Sequence, residues 1–102
     1  MANRRLQLHE MLCEILGTRN VYFQPPESVQ MNYPAIVYGL ADIKNTYADD
    51  GVYLSTRRYA VTVIDEDPDS PIVDRITSLP LCQFNRWYTK DNLNHYVFEL
   101  YF

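Results

Sequence analysis

The sequence predicts an α+β domain: a mixed or mainly antiparallel sheet of about five strands with two helices, in the order α-β-β-β-α-β-β. Three observations carry this. An apolar stripe at helical spacing opens the chain, and a second one, begun by Ser70-Pro71, interrupts the strands. Around them, runs rich in β-branched and aromatic residues alternate with period two. The chain is 102 residues long, 47% apolar and 22% charged, which fits one globular domain over residues 1–102 rather than a disordered segment. It has no internal repeat and no low-complexity tract.

Residues 4–16 form the first helix. Leu8, Met11, Leu12, Ile15 and Leu16 make its stripe, and Glu10 and Glu14 face solvent. Asn3 can cap the start and Gly17 supplies the stop. Residues 20–24 are a short strand. Residues 25–33 are a loop stiffened by Pro25-Pro26. Residues 34–44 are a second strand with Pro34 at its start, where a missing donor costs least. Residues 45–53 read as a polar loop containing the Asp50-Gly51 turn signal, so the segment 45–54 projects or forms a long hairpin.

The clearest strand is 56–65. Tyr59, Val61 and Val63 make one apolar face; Arg58, Ala60, Thr62 and Ile64 make a mixed second face. This places it inside the sheet, one face on the core and the other partly covered. The acidic run Asp65, Glu66, Asp67 and Asp69 ends it. Ser70 caps the second helix, Pro71 takes its first position, and Ile72, Val73, Ile76 and Leu79 make its stripe before Pro80. It crosses over between strands or lies as a lid. Residues 82–88 are a strand with Cys82, Phe84, Arg86 and Tyr88 alternating against Gln83, Asn85 and Trp87. A turn at 89–94 leads to a last strand, 95–102, in which Tyr96, Phe98, Leu100 and Phe102 face one way.

Composition and motifs argue against most chemistry. The formal net charge of -4 weakens the case for nucleic-acid binding, which needs a basic face. No phosphate-binding loop, dinucleotide fingerprint, HExxH or GxSxG occurs, so no enzyme activity and no cofactor are expected. His9 and Cys13 share a helix face and could activate a thiolate, but no third group orients them; a buried structural thiol is the expectation. The acidic run together with Asp74 could attract a hard cation. It lacks the spacing and the glycine of a calcium loop, and acids before a helix N-terminus are favoured anyway, so no metal is expected. Cys13 and Cys82 are expected to be free thiols in a reducing compartment. No signal peptide or apolar run approaching ~18 residues is visible, so the chain is expected to be made and used in solution. Lys44, Arg57 and Arg58 suit a small basic patch or plain solubility. Arg86, Trp87 and Lys90 look like an aromatic-basic surface, with Trp87 as a core or interface anchor. Nine tyrosines fit interface use, and equally a sheet that favours Tyr.

Four stretches carry a resemblance: Tyr33-Pro34-Ala35-Ile36-Val37-Tyr38; Arg57-Arg58-Tyr59-Ala60-Val61-Thr62-Val63-Ile64-Asp65; Asp67-Pro68-Asp69-Ser70; and Asp91-Asn92-Leu93-Asn94-His95-Tyr96-Val97-Phe98. Through them the chain resembles the tail terminator, tail completion or head–tail joining proteins of tailed bacteriophages, over nearly its whole length. The resemblance implies an α+β subunit of a homohexameric ring that caps the tail tube and presents a surface to the head connector or neck protein. It implies no catalytic residues, a virion location after synthesis in the host cytoplasm, and a pore that passes phage DNA without binding it. No membrane contact is implied. An acidic lining would suit such a pore.

A closed ring needs two unlike patches per subunit. The candidates are aromatic or apolar residues with little core logic. The segment 45–54 offers Tyr47 and Tyr53 beside Asp49 and Asp50, whose charged counterpart is Arg57, Arg58 or Arg86 of a neighbour. The loop 25–33 offers Val29 and Met31 on stiff prolines. The contrasting readings are a small ligand-binding or regulatory domain and a metal-dependent enzyme using the acidic run.

Overall fold

The computed structural model describes residues 4–25, 30–48 and 51–102. The element order is α1 (Arg4–Leu16), β1 (Val21–Phe23), β2 (Ala35–Ala48), β3 (Gly51–Asp65), α2 (Pro71–Thr77), β4 (Cys82–Lys90) and β5 (Leu93–Tyr101). The five strands form one sheet in the order β1-β2-β3-β5-β4. Only the β1–β2 pair is parallel; the others are antiparallel. The α+β class and the element order match the sequence expectation.

Both helices lie on one face of the sheet. Leu8, Leu12 and Leu16 of α1, Ile72 and Ile76 of α2, and Ile36, Tyr38, Tyr59, Val61, Val63, Phe98 and Leu100 of the strands form the core. Alternation explains the strand share, since Tyr59, Val61 and Val63 point the same way and are at most 3% exposed. Helical spacing explains the rest. Gly17 ends α1 with φ of 86°, and its N–H donates to the Cys13 carbonyl. Asn3, the expected cap, lies outside the described residues. Ser70 caps α2 by accepting from the Ile72 N–H, with Pro71 beside it. α2 ends at Thr77, capped by Ser78, a little earlier than Pro80 suggests. It is the crossover that carries the chain past β5's place to the edge strand β4. Arg75 of α2 donates to the Ile15 carbonyl, 3.0 Å away, fastening it to the last turn of α1.

Three expectations need correction. The segment 45–53 is not a polar loop but belongs to a long hairpin, the second of the two forms expected for 45–54: β2 runs to Ala48 and β3 begins at Gly51, paired from Asn45↔Ser55 to Ala48↔Gly51 with a register shift between Thr46 and Tyr47. Thr46, Val52 and Tyr53 are good strand formers, which outweighs the polar residues among them. The turn expected at 89–94 is two residues, Asp91 and Asn92, both with positive φ, 55° and 64°. That is the geometry a tight hairpin demands, and Asp and Asn tolerate it best after Gly. The alternation of β4 is broken by a register shift between Phe84 and Arg86. One extra residue there turns the following side chains over. Trp87 therefore pairs with Tyr96 on the helix side, as Phe84 pairs with Phe98, while Arg86 and Tyr88 face the other way. Trp87 is also no core residue, being 53% exposed.

The hairpin of β2 and β3 outreaches its neighbours. β1 pairs with β2 only over Ile36–Tyr38, and β5 pairs with β3 only from Arg58 onward. Past those points β2 and β3 run on as a two-stranded arm, in a molecule measuring 51 × 24 × 23 Å.

Candidate functional site

The polar groups beside the core are turned inward. Tyr38 is buried under α1, and its hydroxyl meets the Nδ1 of His9 at 2.8 Å and Nη1 of Arg5 at 3.4 Å. With His9 neutral and its proton on Nε2, Nδ1 accepts from the Tyr38 O–H, and Arg5 donates to the same oxygen. Burial, together with the Arg19 and Arg5 charges, holds His9 below the usual imidazole range. Burial pushes the Cys13 and Cys82 thiols up. Both cysteines are free. The His9–Cys13 pair is thus a histidine engaged with Tyr38 beside a buried, protonated thiol, which is poor nucleophile chemistry.

The acidic corner is a folded turn. Asp65 accepts from the Asp67 N–H at 3.1 Å, and Asp67 accepts from the Asp69 N–H at 2.9 Å. Tyr96 donates to the Pro68 carbonyl and Asn94 to that of Glu66, pinning the corner to β5. Burial and then the Asp65, Asp69 and Asp67 charges raise the Tyr96 phenol. These carboxylates are used as turn and cap acceptors. Among the described residues no group of three or more His, Cys, Asp or Glu side chains is arranged to hold a metal. Concave features are shallow. A groove of about 460 Å³ on the outer side of α1 is lined by Leu6, Gln7, Glu10, Met11 and Glu14.

The surfaces that remain are the sheet's bare face, its β4 edge and the hairpin arm. Among the described residues both helices pack on the core face, and neither covers the face that carries Val37, Arg58, Ala60, Thr62, Val97 and Glu99. Its centre is an ion pair of Arg58 with Glu99, and Asp42 stands 3.9 Å from the same guanidinium. Arg58 therefore spends its charge within the chain, whereas Arg57 and Arg86 are exposed. Tyr88 stacks on His95 at 4.7 Å, and the Arg86 guanidinium lies 5.3 Å from the Tyr88 ring.

The β4 edge is the strongest apolar exposure. Leu81, Phe84, Trp87 and Tyr88 are 71, 54, 53 and 37% exposed. Sequence reasoning singled out Arg86 and Trp87 here but passed over Phe84, whose alternation with Cys82 reads as core. The available signal was the polar company of Phe84, with Gln83 before it and Asn85 and Arg86 after it. Ile43, at the start of the arm, is 44% exposed, and Leu40, just before it, 42%. Tyr47 and Tyr53 are placed by backbone only, Tyr47 opposite Val52, and their side chains lie outside the described residues. Asp49, Asp50 and Val29 also lie outside them. Met31 is half-buried, which leaves it a weaker anchor than expected. The structure thus gathers Arg57 and Arg58 with the arm and leaves Arg86 on the far edge of the sheet.

No protein-family model matches the chain, and no curated protein matches it. Among the described residues no helix is long and apolar enough to cross a membrane.

Proposed function

We propose that this chain is a structural ring subunit, without enzyme activity, that terminates a phage tail tube and joins it to the head connector. The observation that carries the reading is the resemblance in the strands and turns around Tyr33–Tyr38, Arg57–Asp65 and Asp91–Phe98. The projecting β2–β3 arm supports it. A lone two-stranded ribbon is marginal in water, so an arm that runs past the rest of the sheet suits a protein that lays it on a neighbour. The partners are then other copies of this chain, the tail tube protein and a neck protein, in a virion. DNA passes through the ring without specific contact.

Native mass spectrometry is the first test. A closed oligomer near six times the 12.0 kDa chain is expected, alone or on isolated tail tubes. Replacing residues 46–54 by an Asn-Gly turn between Asn45 and Ser55 is the second. The melting temperature should move by no more than about 4 °C, since the paired residues removed face one another across the hairpin and Asn45 and Ser55 already stand opposite. Ring formation and complementation of tail assembly should both fall. A variant that melts normally and still builds infectious particles at the normal rate removes the arm from the interface.

A further inference from the structure

We infer that the β4 edge pairs with the same edge of a second copy, antiparallel about a twofold axis at Trp87, so that two sheets join into one. The inference goes beyond the ring reading and does not rest on it. A free subunit would pair through this edge, and a ring closed through other surfaces would meet a second ring through it.

The two borders of the sheet are built differently. Past Tyr38, where β1 ends, the β2 border is blunted in three ways. The Gln24 side chain takes the place of a further strand residue: its Oε1 accepts from the Leu40 N–H at 3.1 Å. It lies over Gly39, where a Cβ would meet the Gln24 Cγ at 3.0 Å. A register shift follows between Leu40 and Asp42. The Asp42 Oδ1 then accepts from the Ile43 N–H at 2.9 Å. Bulges and side chains that occupy edge donors keep further strands from adding. β4 is the other border. Its two-residue turn makes Lys90↔Leu93 a pair bonded in both directions, and alternation does the same for Tyr88↔His95 and Arg86↔Val97. Trp87 and Thr89 therefore turn their N–H and C=O groups away from β5, to the side with no strand neighbour. Every residue from Gln83 to Lys90 is exposed. An open edge flanked by large half-exposed aromatics is what strand addition uses.

The residues of β4 select a second β4 as the occupant. Antiparallel pairing of a strand with itself puts one residue on the axis, and residues equally far from it on either side face one another. Arg86 on the axis would meet itself, and Tyr88 on the axis would set Arg86 against Lys90; like charges directly opposite are destabilising. Thr89 on the axis would carry Trp87 out to the partner's turn. Trp87 on the axis avoids all of this. Its outward N–H and C=O meet those of the partner's Trp87, and the two indoles come together on the helix side. Arg86 faces the partner's Tyr88 on the bare side. The Arg86 guanidinium already lies 5.3 Å from its own Tyr88 ring, which stacks on His95, so each guanidinium gains a second ring. Asn85 faces Thr89, and Lys90 stands just outside the paired stretch. β4 thus carries both halves of the contact.

Register-specific cross-linking tests this. Arg86 and the partner's Tyr88 form a pair without mutual hydrogen bonds, whose Cα atoms stand about 4.5 Å apart, within disulfide reach. Arg86→Cys and Tyr88→Cys are made separately, each with Cys82→Ala; Cys13 is buried and stays. Under mild oxidation the mixture should form a mixed dimer at least about tenfold faster than either variant alone, since each new cysteine lies two residues out of register with its own copy. The unmodified chain should sediment as a dimer when concentrated, and the emission of Trp87, the one tryptophan, should shift to the blue as it does so. Cross-linking no faster in the mixture than alone overturns the pairing, as does a parent chain that stays monomeric at millimolar concentration. An arm strand seated on β4 would give no link between these two positions and counts against the pairing. A sixfold assembly without the cross-link overturns the pairing and leaves the ring reading; a cross-linked dimer that builds nothing larger, on tail tubes included, does the reverse. If either variant fails to fold, Asn85→Cys and Thr89→Cys, also opposite one another, replace the pair with the same outcomes.

Discussion

At the scale of single residues, the protein keeps its titratable groups either out of the core or committed within it. His9 is the clearest case. Its Nδ1 accepts from Tyr38 while Arg5 donates to the same hydroxyl. Protonating His9 would leave the Tyr38 hydrogen without this acceptor and add a cation near Arg5 and Arg19, which agrees with a folded-state pKa below 6.5. The unfolded imidazole therefore takes up its proton at a higher pH than the folded one. Stability from this group is full above about pH 6.5 and is lost as the pH falls toward the folded value. Melting temperatures measured from pH 7.5 to 5 should decline for the parent. The His9→Gln variant should decline less over the same window; an equal decline would assign the acid sensitivity to other groups. Neither the shared hydroxyl nor its direction can be read from the sequence, because Tyr38 and His9 are 29 positions apart.

At the scale of elements, legibility followed periodicity. Leu8, Leu12 and Leu16 on α1 and Tyr59, Val61 and Val63 on β3 are buried as their spacing requires. The failures came where one residue changes a pattern that periodicity assumes constant. Asn85 is one such place, since a bulge adds a residue to one strand without altering its composition. The arm is another: Asn45, Thr46 and the Asp50-Gly51 turn signal give 45–53 no apolar alternation to detect, so its composition reads as loop. Of the candidate site, Arg86 and Trp87 were legible as an aromatic-basic pair, but the edge position that exposes them depends on β5 entering between β3 and β4. The Asp91–Asn92 turn makes an element-scale prediction. Asn92 holds φ of 64°, a conformation that costs every residue with a Cβ. Asn92→Gly should raise unfolding stability by up to about 1 kcal/mol in urea melts; a loss would mean that the Asn side chain itself secures the turn.

At the scale of the whole molecule, the strand order sets the chain's history as well as its shape. β5 is the last strand in sequence, yet it sits inside the sheet, between β3 and β4. The β2–β3 hairpin is local and can close early. β4 follows it in sequence but has no place in the sheet until β5 arrives, since among the described residues its one strand partner is β5. The core is likewise open until then, because Phe98 and Leu100 come from β5. The strand order predicts that folding waits on one insertion, of β5 between β3 and β4, the kind of non-local step that is slow relative to helix or hairpin formation. Val97→Ala and Phe98→Ala should report on it in stopped-flow refolding. If β5 docks in the rate-limiting step, both slow refolding; if they only speed unfolding, the insertion comes after the barrier. Until that moment a newly made chain has no finished β4 edge, so the order of strands ties the appearance of this aromatic rim to the completion of the fold.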